Sequence, residues 1–301
     1  MGSHLCAHLC AFGTTVVWGL TFISTKVLMN HGSTPLEVLF FRFVLALAVM
    51  YCMKPKIFRH GRGWKEELLF LGAGASGITV YFCFENTALT LTYASNVSLI
   101  ICTAPFLTGL AAHFFLKEAL HGNFFTGFLV AITGIACISF NGAAYLNLNP
   151  AGDLLAAGAA ASWAFYSIFT RRIFSRNYPL LEATRRILFW GLVTAGLALP
   201  LQGEVHLPDL GSAAVWANFL FLGVLASSVC FVTWNYGLRV LGAVRATAYI
   251  YLTPVVTVVG AFFLLSERIT LLSATGMALT LAGLVLSETR GNVLGRLGRR
   301  G

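Results

Sequence analysis

The sequence predicts an all-α membrane protein: ten transmembrane helices, arranged as two inverted five-helix repeats around a central cavity. Three observations predict it. The chain is 57% apolar and only 10% charged, against about 25% charged in a soluble domain, and its mean hydropathy is +0.80. A soluble chain of 301 residues could not bury that much apolar surface, so its solvent is lipid. The apolar residues fall in runs of membrane-spanning length. Finally, one segment is written twice: residues 94–138 and 243–287 align without a gap.

The runs fall at about 9–29, 36–53, 67–91, 93–116, 122–140, 151–170, 180–200, 212–237, 242–265 and 270–287. Roughly 20 apolar residues span a ~30 Å hydrocarbon core as a helix. In lipid, helices satisfy the backbone within the segment, and the period-2 alternation of a membrane barrel is absent. The first run lacks a basic flank and a small-residue cleavage site, so it is read as a span and not as a signal peptide. The organisation expected is an N-terminal tail 1–8, a first five-helix repeat 9–140, a second, inverted repeat 151–287 and a basic tail 288–301.

Charge placement fixes the expected orientation. With the N-terminus inside, fifteen of the twenty Lys and Arg residues lie in inner connections or the tail. Two, Lys26 and Arg268, lie outside, and Arg42, Arg185 and Arg186 lie within spans. The expected location is therefore a bacterial inner (cytoplasmic) membrane, N-in and C-in. The same asymmetry accounts for the net charge of +9 without a nucleic-acid partner. Basic inner loops face anionic lipid of the bilayer.

The duplication is extensive. Pro105 and Glu118 recur as Pro254 and Glu267, and Thr108, Gly127 and Gly134 as Thr257, Gly276 and Gly283. Trp18 matches Trp163 at an offset of 145, Arg42 matches Arg186 at 144, and Asn86 matches Asn235 at 149. Five spans per copy force the second copy to enter from the opposite side. The loops agree: basic residues 54–65 correspond to residues 201–211, which hold no Lys or Arg.

This order of features is a Trp in span 1, Pro and Arg around span 2, and Asn-x-Ala-Leu (Asn86–Leu89) closing span 3. Then come Ala94-Ser95, a mid-span Pro105, Glu118 and Gly127, and the set repeats. In it the chain resembles the EamA family of the drug/metabolite transporter superfamily, over about residues 9–288. The resemblance implies ten helices in two inverted repeats, a central cavity, and secondary transport, usually export of small metabolites such as amino acids. It names no substrate.

Candidate residues follow from position. Pro105 and Pro254 sit mid-span and cannot donate to Ile101 and Ile250, so kinks are expected there, usable as hinges or held as static packing. Glu85 is an acid inside span 3, costing about 2.5–3.5 kcal/mol at a helix centre. It reads either as a site for a substrate amine or a proton, or as half of a structural ion pair with Arg42, with Lys26 as second choice. Its mate in the repeat is Trp234, so this charge is not duplicated. Asn86 and Asn235 are duplicated amides that bind substrate or bond across helices. Ser98 and Cys102, with Thr247 and Tyr251, share helix faces before the prolines. Trp18 and Trp163 lie too deep for an interfacial belt and offer flat apolar walls with an N–H, with Phe22 and Ser167 one turn on. Tyr81, Tyr166 and Trp234 complete the expected cavity set. Glu118 and Glu267 read as structural ties at helix ends, and Glu182, Arg185 and Arg186 as an ion cluster.

Other classes are excluded on residue grounds. His4-x-Cys6-x-His8-x-Cys10 puts too few convergent ligands at a terminus to hold zinc, so no metal and no cofactor is expected. The seven cysteines are odd in number and scattered, which is not a disulfide framework. No connection is long enough for a soluble catalytic domain, and no acid–base or nucleophile set converges, so no enzyme is expected. The reading is a secondary active transporter exporting a small organic metabolite, an amino acid or related amphipathic compound, by alternating access, with the proton as candidate coupling ion. A passive uniporter of the same fold and a non-transporting membrane protein are the alternatives.

Overall fold

The computed structural model describes residues 2–55, 63–91, 97, 100–139, 149–202, 205, 211–256, 259 and 270–288. Among them, all regular structure is helical. In chain order the helices are α1 (Gly2–Asn30), α2 (Pro35–Met53), α3 (Trp64–Leu91), α4 (Ala104–Leu116) and α5 (Gly122–Ser139). Then follow α6 (Pro150–Phe174), α7 (Leu180–Ala198), α8 (Ala213–Leu241), the short α9 (Ala243–Ala248) and α10 (Leu271–Glu288).

Several boundaries correct the sequence expectation. Among the described residues, four helices are long and apolar enough to cross a membrane by length and composition: Ser3–Asn30, Pro35–Met53, Trp64–Leu91 and Ala213–Leu241. The apolar helices Ala104–Leu116, Gly122–Ile138 and Leu271–Ser287 are shorter. The residues expected as an N-terminal tail are helical as the first turns of α1. The runs 93–116 and 242–265 are not single helices. The first is interrupted at Cys102–Thr103, and Pro105 stands in the first turn of α4. The second passes from α9 into a 3₁₀ turn at Tyr249–Tyr251, and Pro254 follows in helical residues 252–256. The expected kinks are thus breaks. Proline is at home in a first turn, where its missing N–H would have had no partner.

Local chemistry explains the starts. Thr34 and Glu37 form a reciprocal capping box, with Glu37 N donating to Thr34 Oγ1 and Thr34 N to Glu37 Oε2 at 2.8 Å. Asn149 caps α6 by accepting from the backbones of Ala151 and Gly152. Both α3 and α8 contain a widened π segment, at Ala75–Val80 and Phe221–Val229. These occupy matching positions in the two copies, a feature the sequence reading did not contain.

α5 and α10 form a seam of their own. A Cβ on Gly134 would meet Gly276 O and Thr280 N at 2.5 Å, and one on Gly276 would meet Gly134 O at 2.6 Å. Gly127 meets Ser287, and Gly283 meets Ala131. As numbers rise along α5 they fall along α10, so the two helices run antiparallel with backbones in contact. Between the long helices lies an aromatic core in which Trp234, Tyr166, Phe231 and Phe43 are fully buried.

Helix ends are tied by charge. Lys54 pairs with Glu182, Arg186 with Glu67, and Arg176 with Glu66 at 2.7 Å, while Tyr178 donates to Glu66. Arg185 instead donates to Lys54 O and lies over the Tyr51 ring at 4.5 Å. Glu182 and Arg185 thus meet at Lys54, as expected of an ion cluster, whereas Arg186 pairs with Glu67 instead. Glu118 ties α4 to its neighbours as expected, accepting from Ala243 N at 3.5 Å and lying 3.6 Å from Arg171 Nε. Glu267 lies outside the described residues.

Candidate functional site

A cavity opens where the broken helices meet the long ones. Its walls are Trp18, Thr21 and Phe22 of α1, Arg42 of α2, and Tyr81, Phe82 and Glu85 of α3. Ile101, Cys102 and Ala104 before and at the start of α4, Trp163 of α6, and Ile250 and Thr253 around the second break complete it. The water-accessible volume is about 50 Å³, room for a few water molecules.

Each wall has a local cause. Trp18 is set by its indole N–H, which donates to Ala226 O at 3.0 Å. Ala226 lies in the π segment of α8, where the widened helix leaves carbonyls free for such partners. Trp18 and Trp163 meet edge-on with ring centroids 5.3 Å apart, and Tyr81 packs on Trp163 at 5.0 Å. The N–H of Trp163 finds no partner among the described residues.

The charged pair is deeply placed. Arg42 is 2% exposed and Glu85 6%. Arg42 Nε donates to Ser227 Oγ at 2.8 Å, and its guanidinium lies over the Phe82 ring at 4.6 Å. Tyr81 stands one turn before Glu85 on the same helix and lines the cavity beside it. The direct Glu85–Arg42 ion pair considered from the sequence is not formed: among the described residues, the ion pairs are made by other partners. The two face one cavity. The side chain of Lys26, the second candidate partner, lies outside the described residues.

Of the residues expected to line a cavity, the structure brings together Trp18, Phe22, Tyr81, Glu85, Cys102 and Trp163, with Arg42. Seven others do not line it. Asn86 Nδ2 donates to Pro35 O at 3.1 Å. Asn235 accepts from Tyr166 at 2.6 Å and donates to Thr184 at 3.1 Å, so both amides, and Tyr166, serve helix–helix bonds. Ser167 and Thr247 turn their hydroxyls back onto Trp163 O and Ala243 O. Trp234 is fully buried in the aromatic core, and Tyr251 packs with Cys102 and Ala248. Ser98 lies outside the described residues.

Six wall residues were missed: Thr21, Phe82, Ile101, Ala104, Ile250 and Thr253. A signal for four of them existed. Ile101 with Ile250, and Ala104 with Thr253, are mates at the offset of 149 and flank the two prolines. Thr21 and Phe82 adjoin residues already singled out.

A second, more polar recess of about 280 Å³ lies where Glu118, His121, Arg171 and Arg245 approach. Among the described residues no cluster of His, Cys, Asp and Glu could hold a metal ion.

Comparison with known proteins agrees with the fold. Residues 5–140 and 150–289 each match the profile of the EamA-like transporter family. The chain is 31% identical over 288 residues to a "Probable terminal-alkyne amino-acid exporter" of Streptantibioticus cattleyicolor, covering 95% of this chain and 93% of that protein. It is 28% identical to a "Probable amino-acid metabolite efflux pump" of Escherichia coli K12, covering 90% and 91%. An "Uncharacterized transporter" of Archaeoglobus fulgidus is 26% identical over 91% of this chain and 95% of its own. A solved crystal structure superposes with a TM-score of 0.77 over 95% of this chain and 99% of that one, at 20% identity, a likeness of fold alone.

Proposed function

The chain belongs to the EamA-like transporter family, and from that premise we propose that it is a secondary active exporter of a small amphipathic metabolite, an amino acid or a close relative of one. It is a transporter and not an enzyme, as the family and its named relatives are. The relatives named for amino-acid export support the substrate class.

One observation carries the reading. The cavity is bounded by both interrupted segments at matching positions, Ile101 and Ala104 from one copy and Ile250 and Thr253 from the other, with Trp18 and its mate Trp163 between them. Breaks in paired helices at one depth are how transporters of repeated architecture build a site and a hinge together. We take the two breaks before Pro105 and Pro254 as the hinges. The architecture proposed is ten spans in two inverted repeats, 9–140 and 151–287. The antiparallel seam of α5 and α10, which are copies of one another, supports it. The matching π segments support it too. The proposed setting is a bacterial inner membrane with both termini inside, supported by the basic inner loops.

Proteoliposomes loaded with radiolabelled amino acids test this. Efflux above that of protein-free vesicles, accelerated by an imposed proton gradient and lost in Trp163→Ala, is expected. Absence of flux for every amino acid and amine tried would overturn the reading. Flux indifferent to the gradient would make the protein a facilitator instead.

A further inference from the structure

We propose that Arg42 and Glu85 form a two-point clamp for a zwitterion. Arg42 takes the carboxylate, Glu85 takes the ammonium, and the rings of Trp18, Phe22 and Trp163 enclose an apolar side chain. The proposal rests on the transport reading above and deepens it.

The first argument is the state of Arg42. It is 2% exposed, yet only its Nε has a hydrogen-bond partner among the described residues, Ser227 Oγ at 2.8 Å. The outer nitrogens of the guanidinium, four N–H donors, belong to a side chain that lines the cavity. Burying a cation without partners is expensive. A planar fork with its rear nitrogen fixed is a geometry suited to a carboxylate held by two parallel bonds. The Phe82 ring beneath it, at 4.6 Å, steadies the charge without competing for its donors.

The second argument is the separation of opposite charges. Had the pair only a structural role, Glu85 and Arg42 would gain most by touching, because contact offsets the desolvation of both. They line the same cavity without forming an ion pair. Arg42 instead donates to Ser227 of α8, while Glu85 stays on its own wall of the cavity beside Tyr81. A ligand carrying both charges completes both ends at once, and one carrying either charge alone leaves a buried opposite charge unmatched. Such a site rejects the incomplete ligand strongly.

The third argument is the repeat. The mates of Arg42 and Glu85 are Arg186 and Trp234. Arg186 is paired with Glu67, and Trp234 is buried in the aromatic core. The second copy has one charge, tied to Glu67, and a tryptophan in place of the other; the first has both charges at the cavity.

The test uses purified full-length protein and three probes that share one side chain: L-norleucine, pentylamine, which lacks its carboxylate, and hexanoate, which lacks its amine. L-phenylalanine, phenethylamine and 3-phenylpropanoate form a second set. Affinities are read by calorimetry or by ligand-induced thermal shift. The parent protein is expected to bind at least one amino acid about ten- to a hundredfold more tightly than its two truncated forms, the scale of one charged hydrogen-bonded contact. Arg42→Gln erases the discrimination against the amine only, and Glu85→Gln erases the discrimination against the acid only. Ser227→Ala, which leaves both charges in place, weakens binding of the carboxylate-bearing probes and spares the amines. It keeps the test decisive if Arg42→Gln does not fold. Equal loss for all three probes in every variant, or unchanged ratios, overturns the clamp. Failure of both amino acids to bind the parent protein also overturns it. The vesicle efflux assay then decides separately whether transport itself stands.

Discussion

Trp18 and Trp163 are mates in the repeat, and they touch, edge-on at 5.3 Å between ring centroids. Both rings line the cavity. The two are not equivalent in bonding. Trp18 donates to Ala226 O, whereas the N–H of Trp163 has no partner among the described residues. Trp18→Phe strands a buried carbonyl and is expected to cost about 1–3 kcal/mol. Trp163→Phe removes no bond and is expected to cost less. Denaturation midpoints in detergent compare them, and the reverse order would refute the argument.

The seam of α5 and α10 gives a sharper steric prediction. Any Cβ at Gly134 lands 2.5 Å from the backbone of α10, which cannot step aside as a side-chain tip can. Gly134→Ala is expected to destabilise by about 1–3 kcal/mol through overpacking. Gly13 also sits in a helix, but nothing lies within 4 Å of its Cβ position. Gly13→Ala is therefore expected to be neutral or to gain up to about 1 kcal/mol from helix propensity. Opposite signs in paired thermal melts are the result to look for.

Much of this molecule could be read from its residues, and the parts that could not have physical reasons. Helicity follows from hydropathy, Trp18 and Trp163 stand out by duplication and Glu85 as an acid in an apolar run, all linear properties, while the family and the central cavity follow from the resemblance in motif order. The destination of a polar side chain is not linear. Asn86 and Asn235 could be read as substrate amides or as helix–helix bonds, and their recurrence does not choose, because duplication preserves a helix–helix bond as faithfully as a binding contact. The π segments in α3 and α8 carry no residue signature, because one extra residue per turn leaves an apolar run apolar. The prolines were legible as interruptions. Whether they kink a helix or begin one depends on the residues just before them, here Cys102–Thr103 and Tyr249–Tyr251.

That last distinction has a measurable consequence. A proline in a helix interior costs about 3 kcal/mol relative to alanine, so removing one there should stabilise markedly. Pro105 stands in the first turn of α4, where no backbone bond is lost. Pro105→Ala is expected to leave stability within about 1 kcal/mol of the parent, the residual being the altered freedom of the unfolded chain. A gain near 3 kcal/mol in a denaturant titration would mean that the proline itself forces the break.

Asn235 separates a structural role from a ligand role most cleanly. It is fully buried, accepts from the Tyr166 hydroxyl at 2.6 Å and donates to Thr184 Oγ1 at 3.1 Å, joining α8 to α6 and α7. Asn235→Leu leaves two hydroxyls without their partner, and about 1–3 kcal/mol of destabilisation is expected. Tyr166→Phe alone strands the Asn235 oxygen. The double substitution should therefore cost less than the two single ones added together, as groups in one network do. Because Asn235 is not part of the cavity wall, the selectivity of the folded single variants among an amino acid, its amine and its acid should match the parent. A variant that kept its stability but changed that selectivity would return Asn235 to the binding site.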